Sequence, residues 1–221
     1  MRRNKISASI LSADFSNLGN EVRTLSNAGV DSIHLDIMDG KFVPNISFGP
    51  QVVKSIRKET KLPFKVHLMV EEPELYIQQF VDAGAETIIF HIESTRYPHN
   101  LIKQIKNYGV KVGVALNPST SESSLEYIYN ELNEILVMTV NPGFSGQQFI
   151  NSQLEKINKI SSMIFKNDLI DLGVDGGINP DTLKRCSEKG ANLAIVGDYL
   201  FAKDSIQNNA KNIVKSFNNS L

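Results

Sequence analysis

Short runs of β-branched and other apolar residues alternate along the chain with longer segments whose apolar positions recur at helical spacing. The short runs predict strands, and the longer segments predict amphipathic helices. Several helical segments close on a glycine just before the next strand, as expected of C-cap residues: Gly29, Gly84, Gly109 and Gly190. We predict eight strands, at residues 5–11, 32–38, 64–70, 87–92, 110–116, 134–140, 170–175 and 193–197.

The strand–helix unit repeats eight times without an intervening linker. This alternation predicts a parallel sheet, and eight units favour one closed (β/α)8 TIM barrel over residues 1–221. A doubly wound open sheet is the alternative, but it usually has fewer strands and a glycine-rich turn after the first one. Here SILSADF follows the first strand and contains no glycine. We therefore predict the α/β barrel as a single domain.

The second and third predicted strands carry polar side chains or methionines at every second position. In SIHLDIM these are His34, Asp36 and Met38, and in KVHLMV they are His67 and Met69. Because successive side chains of a strand point to opposite faces, these residues share the face that would line the barrel interior. Active sites of such barrels lie at the C-terminal ends of the strands, so this face predicts chemistry there.

Asp175 ends the seventh predicted strand, so two histidines and two aspartates from three strands meet at one end of the barrel. Each alone has an ordinary explanation, as a hydrogen-bonded core histidine or as an aspartate that caps a helix. Together they would be desolvated at a cost that a divalent cation removes. We predict one divalent metal ion per chain on His34, Asp36, His67 and Asp175, with Zn²⁺ preferred and Fe²⁺, Mn²⁺ or Co²⁺ as alternatives.

Glycine-rich loops follow the last three strands. They are NPGFSGQ after strand 6, DGG after strand 7, and VGDY after strand 8, where we expect a short helix to begin. Tight turns would explain any one of them. Because loops after strands 7 and 8 with an extra helix N-terminus form a recurrent phosphate site in barrels, the three together predict a phosphorylated substrate.

Two further segments lie near the same end. His91 and Glu93 close the fourth strand, and either support the metal site or form part of a capped core. The long loop at residues 41–50 contains Phe42 and Pro44, which could cover a substrate.

Composition excludes several classes of protein. The formal net charge of −1 provides no basic surface for nucleic acid or an anionic membrane, and no apolar stretch approaches the about 20 residues of a membrane span. The basic N-terminus, MRRNKISASIL, is interrupted by serines and predicts a first strand rather than a signal peptide. The single cysteine, Cys186, is typical of a reducing compartment, so we expect a cytoplasmic protein.

Five motifs resemble the ribulose-phosphate 3-epimerase family: SASILSADF, HLDIMDGKFVPN, VHLMV, VMTVNPGFSGQQFI and VDGGI. The resemblance runs from near residue 5 to the last helix. It implies a barrel of the ribulose-phosphate-binding type, a homo-oligomer, and interconversion of D-ribulose 5-phosphate and D-xylulose 5-phosphate in the pentose phosphate pathway.

The resemblance also implies roles for individual residues. Asp36 and Asp175 would be the two acid/base groups, placed far enough apart around the rim to flank a flat enediolate. Ser9 and His67 would contact the sugar, and Met38, Met69 and Met138 would form an apolar wall. The substrate and its phosphate would be bound by Ser9, His67, Gly143, Phe144, Ser145, Gly146, Asp175, Gly176, Gly177, Gly197 and Asp198.

Three positions depart from the family pattern. Ala8 replaces a common proline, and Gly173 stands where a glutamate is expected, so packing beneath the metal would differ. Asp198 replaces a small residue, usually serine, at the phosphate-binding helix start. Because a carboxylate repels a phosphate dianion, we expect the Asp198 side chain to turn away and cap the helix.

Three other functions fit parts of the pattern. An allulose 6-phosphate 3-epimerase would use the same residues. A decarboxylase of similar barrels would need Asp-x-Lys-x-x-Asp, and Asp36 stands where its lysine should be. A non-catalytic sugar-phosphate sensor would be expected to lose one acid, whereas both Asp36 and Asp175 are present.

Overall fold

The computed structural model describes residues 2–202 and 205–218, which form a closed barrel of eight parallel strands. The strands are β1 (Lys5–Ser9), β2 (Ser32–Met38), β3 (Phe64–Met69), β4 (Thr87–His91), β5 (Lys111–Leu116), β6 (Glu134–Met138), β7 (Asp171–Asp175) and β8 (Leu193–Val196). The described α-helices are α1 (Leu18–Asn27), α2 (Pro50–Ile56), α3 (Ile77–Asp82), α4 (Pro98–Asn107), α5 (Gln153–Met163), α6 (Pro180–Ser187) and α7 (Ile206–Asn218). The predicted fold class is confirmed.

Strand pairing follows chain order and closes between β8 and β1. All eight predicted strands are present, and β2 has the predicted bounds. The first strand ends two residues early because Ile10–Ser12 form a 3₁₀ turn, whose Leu11 N–H donates to the Ser9 hydroxyl at 3.4 Å. This turn brings Ser12 to the C-terminal mouth of the barrel.

Two connections differ from the predicted strand–helix repeat. Between β5 and β6 the chain forms two 3₁₀ turns, Glu122–Leu125 and Tyr129–Glu131, instead of an α-helix. Ser121 caps the first by accepting from the Ser123 N–H at 3.3 Å, and such local serine bonds compete with helix formation.

The prediction of a short helix at VGDY after β8 is wrong. Residues 198–201 form a turn, closed by the Leu200 N–H donating to the Gly197 carbonyl at 2.8 Å. One such bond does not propagate a helix. The Leu200 carbonyl accepts from the Asn209 side chain at 3.2 Å, which ties the turn to α7.

The outer and inner faces of the barrel differ in chemistry. Outward residues of β2 and β3, such as Leu35 and Leu68, are fully buried under the helices. Inside, one apolar cluster is formed by Ile89, Ala115, Leu136, Met138, Leu193 and Ile195. Most inward side chains of β2 and β3 are polar and buried, including His34, Lys65 and His67, and the methionines Met38 and Met69 follow them at the strand ends. Period-two alternation therefore directs the polar residues into the barrel, as predicted.

No helix among the described residues is both long and apolar enough to cross a bilayer.

Candidate active site and metal centre

Four predicted metal ligands converge near the C-terminal mouth of the barrel. His34 and Asp36 lie on β2, His67 on β3 and Asp175 at the end of β7. Register contributes to this arrangement, since Asp36 is paired with His67 across β2 and β3. One ligand atom from each of the four residues lies within 4.8 Å of the others, and we call this group the ligand cluster.

The ligand atoms of His34, Asp36 and His67 have the spacing of a metal's coordination shell, and that of Asp175 lies slightly farther out. Asp36 Oδ1 is 3.1 Å from His67 Nδ1 and 3.3 Å from His34 Nε2, and the two imidazole nitrogens are 3.2 Å apart. Asp175 Oδ2 is 3.6 Å from His34 Nε2 and 3.7 Å from His67 Nδ1. Ligands about 2.1 Å from one metal ion lie about 3.0–3.4 Å from each other in octahedral or tetrahedral geometry. The donor set and its spacing therefore fit a divalent cation.

In the metal-free cluster, burial and neighbouring charges shift the pKa values of the two carboxyl groups in opposite directions. Burial and the neighbouring Asp36 raise the pKa of Asp175 to about 7. Burial also opposes ionisation of Asp36, but His34 and His67 outweigh it and hold the pKa of Asp36 below its usual range. Burial lowers the pKa of His67 to about 3, so its ring stays neutral, as a metal ligand must be.

His67 is backed by a chain of polar contacts behind the cluster. Its Nε2 lies 2.9 Å from His91 Nε2, and His91 Nδ1 faces Glu93 Oε2 at 3.3 Å. When His67 Nδ1 presents its lone pair to the cluster, its proton is on Nε2 and points to His91. His91 then carries its own proton on Nδ1, facing Glu93. The fully buried His91 therefore supports the site, which is one of the two roles left open by the sequence.

Glu93 is fixed in turn by groups beyond the fourth strand. It accepts from the Asn117 N–H at 2.8 Å and from the Thr120 hydroxyl. Burial would raise the pKa of Glu93, but the contact with His91 and these hydrogen bonds lower it to about 2. We call His67, His91 and Glu93 the imidazole relay.

A second buried polar group lies below the ligand cluster. Lys65, two residues before His67 on β3, places its Nζ 2.6 Å from Glu134 Oε2 on β6. A Cβ at Gly173 would lie 3.6 Å from Glu134 Oε1, so Glu134 occupies the region beneath the cluster where strand 7 lacks a carboxylate. We call Lys65 and Glu134 the floor pair.

Ser9 contacts the cluster directly. Its hydroxyl donates to Asp36 Oδ2 at 2.6 Å, so Asp36 uses one oxygen in the ligand cluster and the other with Ser9. The two predicted acid/base groups lie closer than expected, because their cluster oxygens are within 4.8 Å rather than far apart around the rim. The interior of a small closed barrel is narrow, so inward side chains of strands that are not neighbours, such as β2 and β7, come near one another.

The loop after β2 covers one side of the pocket. Val43 is buried and packs with Met38 and Met69, and the Phe42 ring lies 4.7 Å from the His91 ring. Met138 belongs to the apolar cluster inside the barrel instead. All three methionines line the pocket mouth with Ser9, Asp36 and Asp175.

The glycine loops adjoin the same pocket. Its lining includes Gly143, Phe144, Ser145, Gly146, Gly176, Gly177, Gly197 and Asp198. Gly177, at φ +63°, is needed for loop packing, because a Cβ there would lie 3.0 Å from the Phe149 nitrogen. Gly146, at φ +74°, faces Asp198, whose Oδ2 lies 3.4 Å from the position of an added Cβ.

The expectation that Asp198 turns away from this end is wrong. Its Oδ1 accepts a hydrogen bond from the Ser12 hydroxyl, so the carboxylate faces the turn that follows the neighbouring strand β1. It caps no helix, since residues 198–201 form a turn. Ser12 was missed from the sequence, although it lies three residues after Ser9.

Solved structures that resemble this fold share little sequence with the chain. A 3-hexulose-6-phosphate synthase has a TM-score of 0.71 at 15% identity, covering 96% of this chain and 99% of that one. A thiamine phosphate pyrophosphorylase from Pyrococcus furiosus has a TM-score of 0.68 at 15% identity, covering 98% and 96%. At this level of identity, the likeness extends to the barrel alone.

Sequence relatives are more specific. The chain is 46% identical over 202 residues to the ribulose-phosphate 3-epimerase of Bacillus subtilis (strain 168), covering 90% of this chain and 93% of the relative. It is 45% identical over 210 residues to that of Methanocaldococcus jannaschii, covering 95% and 89%. The model of the ribulose-phosphate 3 epimerase family matches residues 5–201. With this match across the barrel and its mouth, the chain belongs to the ribulose-phosphate 3-epimerase family.

Proposed function

We propose that this chain is a metal-dependent ribulose-phosphate 3-epimerase, which inverts C3 between D-ribulose 5-phosphate and D-xylulose 5-phosphate. The observation that carries this function is the convergence of two carboxylates and two imidazoles on one pocket, in a chain of this family. The single catalytic domain over residues 1–221, the homo-oligomer and the cytoplasmic location expected from the sequence belong to the same proposal.

Inversion at C3 of a 2-ketose requires a proton to leave one face and another to arrive on the opposite face. Asp36 and Asp175 both line the pocket, from β2 and from β7. One ionised carboxylate takes the C3 proton, and the other, protonated, donates to the opposite face of the planar enediolate. The two exchange roles in the reverse reaction. Ser9, through its hydrogen bond to Asp36 Oδ2, orients one of them.

A divalent cation, when bound, would act as a Lewis acid that stabilises negative charge developing on the sugar oxygens. His34, Asp36, His67 and Asp175 would hold it, and nitrogen with oxygen ligands favours Zn²⁺, with Fe²⁺, Mn²⁺ or Co²⁺ as alternatives. His91 keeps His67 in the tautomer that leaves Nδ1 free for this role.

The remaining pocket residues bind and shield the substrate. Met38, Met69 and Met138 form an apolar wall that keeps water from the enediolate, with Val43 packed behind two of them. Backbone N–H groups and hydroxyls of the glycine loops bind the phosphate, at Gly143–Gly146, Gly176, Gly177 and Gly197. We call these loops the phosphate cradle.

A coupled assay of the purified, metal-loaded protein tests this function. We expect turnover of D-ribulose 5-phosphate with a higher kcat/KM than of D-allulose 6-phosphate, and incorporation of solvent deuterium at C3. A higher kcat/KM on the hexulose phosphate would identify the alternative epimerase. Tight binding of both sugars without turnover or exchange would identify a non-catalytic sensor.

A further inference from the structure

The phosphate cradle contains a carboxylate. Three aspartates line the pocket, at positions 36, 175 and 198, and its described lining residues include neither lysine nor arginine. The first two belong to the ligand cluster, where a cation would balance them. Asp198 lies at the other end of the same pocket, outside the ligand cluster, and no cationic partner is described for it.

The geometry places the Asp198 carboxylate between the first and sixth loops. Its Oδ1 accepts from the Ser12 hydroxyl, and its Oδ2 approaches the backbone at Gly146. The Ser12 and Ser145 hydroxyl oxygens are 3.3 Å apart, so Asp198 belongs to one small polar group with both serines. Gly197 lies beside this group, since a Cβ there would be 3.2 Å from Ser12 Oγ. These are the surfaces that a phosphate in the cradle would contact.

Asp198 opposes a phosphate in two ways. Its charge repels the dianion, and repulsion between exposed like charges a few ångströms apart is only partly screened by water. In addition, the single proton of the Ser12 hydroxyl already points to Asp198, so it is not available to a phosphate oxygen. A neutral sugar hydroxyl has neither problem, because it can itself donate to the carboxylate.

We propose that Asp198 is a specificity-determining residue, which weakens binding of the phosphate group and shifts the selectivity of the pocket toward ketoses with a neutral terminal hydroxyl. This rests on the proposed function, because it assumes that the substrate phosphate enters the cradle. A repulsive group placed against one ligand discriminates as effectively as an attractive group placed for another.

Two substitutions separate the causes. Asp198→Asn removes the charge and keeps an acceptor of similar length for Ser12, whereas Asp198→Ser removes the charge and leaves a shorter hydroxyl that can itself donate to a phosphate. We expect each to lower KM for D-ribulose 5-phosphate, Asp198→Ser by at least about tenfold, which is about 1.4 kcal/mol. The Kd of inorganic phosphate should fall in parallel, and the Kd of unphosphorylated D-ribulose should not fall. Asp82→Asn is the charge-matched control, because the exposed Asp82 ends α3 on the opposite side of the barrel.

Calorimetry on the metal-loaded proteins gives the dissociation constant of inorganic phosphate without turnover and, for each ketose, the apparent constant of its equilibrium mixture of epimers. Circular dichroism checks folding. A KM and Kd for the phosphorylated sugar that change by less than about threefold would overturn the role of Asp198, as would an equal fall for both sugars. If neither wild type nor variant epimerises but the Kd for D-ribulose 5-phosphate still falls, the role of Asp198 stands and the proposed function is wrong. If the wild type epimerises D-ribulose 5-phosphate but the Kd for this sugar does not fall in the variants, the proposed function stands and the role of Asp198 is wrong.

Discussion

The barrel encloses two buried polar layers, the floor pair and the ligand cluster, in which charge is balanced differently. In the floor pair, Lys65 and Glu134 balance each other at 2.6 Å, with side chains 11% and 3% exposed. The ligand cluster has two carboxylates and two imidazoles at similar burial, and it contains neither lysine nor arginine. The two floor charges therefore balance each other on folding, although the buried Glu134 Oε1 has no hydrogen-bond partner among the described residues. The cluster is balanced only with a proton or an added cation. This difference separates a structural polar group from a functional one.

The largest expected effect falls on the carboxylates of the ligand cluster. Asp36→Asn and Asp175→Asn should each lower kcat by about 10²–10⁴-fold, because general acid–base catalysis contributes that much. The measurement uses protein whose metal content is verified, so that lost metal is not mistaken for lost proton transfer. Solvent deuterium exchange at C3 adds a second readout, since a variant with one base can still exchange the proton of one epimer.

Near wild-type turnover in both directions by either metal-loaded variant would show that its residue is not an acid/base group. Asp82→Asn serves as the control for loss of one negative charge.

Substitutions in the floor pair should change the stability of the protein. Lys65→Met or Glu134→Leu alone should lower the free energy of unfolding by about 3–5 kcal/mol, because each leaves an uncompensated buried charge. The double variant should recover most of this loss, since a buried pair can be replaced by apolar side chains at little cost. Chemical denaturation of the metal-free proteins measures all three.

A double variant as unstable as the single variants would contradict the view that the floor pair is self-contained. Its charges would then be required by something above it, and the ligand cluster is the nearest candidate, because Glu134 contributes to the raised pKa of both His34 and Asp175.

Substitutions in the imidazole relay should have a smaller effect, which is a weaker affinity for the metal. Glu93→Gln and His91→Phe should each weaken the affinity for the divalent metal by about 10–100-fold, as is usual for groups behind a metal-bound histidine. Chelator competition measures the Kd, and the Co²⁺ absorption spectrum reports whether ligand geometry changes. Glu86→Gln is the control, because Glu86 is exposed just before the same strand.

Unchanged metal affinity in Glu93→Gln would assign His91 and Glu93 to core packing alone. Recovery of affinity in Glu93→Asp, but not in Glu93→Gln, would indicate that the carboxylate charge is what fixes the relay.

Periodicity explains how much of this could be predicted from the sequence. The alternation in SIHLDIM gave β2 with its observed bounds, and spacing by two placed His34, Asp36 and His67 inside the barrel. The same spacing places Lys65 on the face of His67, so the floor pair had a signal in the sequence that went unused.

Contacts between distant segments had no such signal. Ser12 and Asp198 are separated by 186 positions, and the orientation of Asp198 depends on how the loops after β1 and β8 meet at the C-terminal end, where the barrel closes. The first 3₁₀ turn between β5 and β6, Glu122–Leu125, likewise depends on local serine hydrogen bonds, which compete with a helix. Sequence pattern predicts which face a side chain takes, but not which partner it finds on a loop distant in sequence.

The most direct test of the comparison between the two layers is removal of the metal. Protein treated with a chelator, verified as metal-free by elemental analysis, should lose its epimerase activity while the barrel stays folded. Titration with Zn²⁺ or Co²⁺ should restore activity with an end point of about one ion per chain, as expected for a single four-residue site. Full activity in the verified metal-free protein would contradict the account.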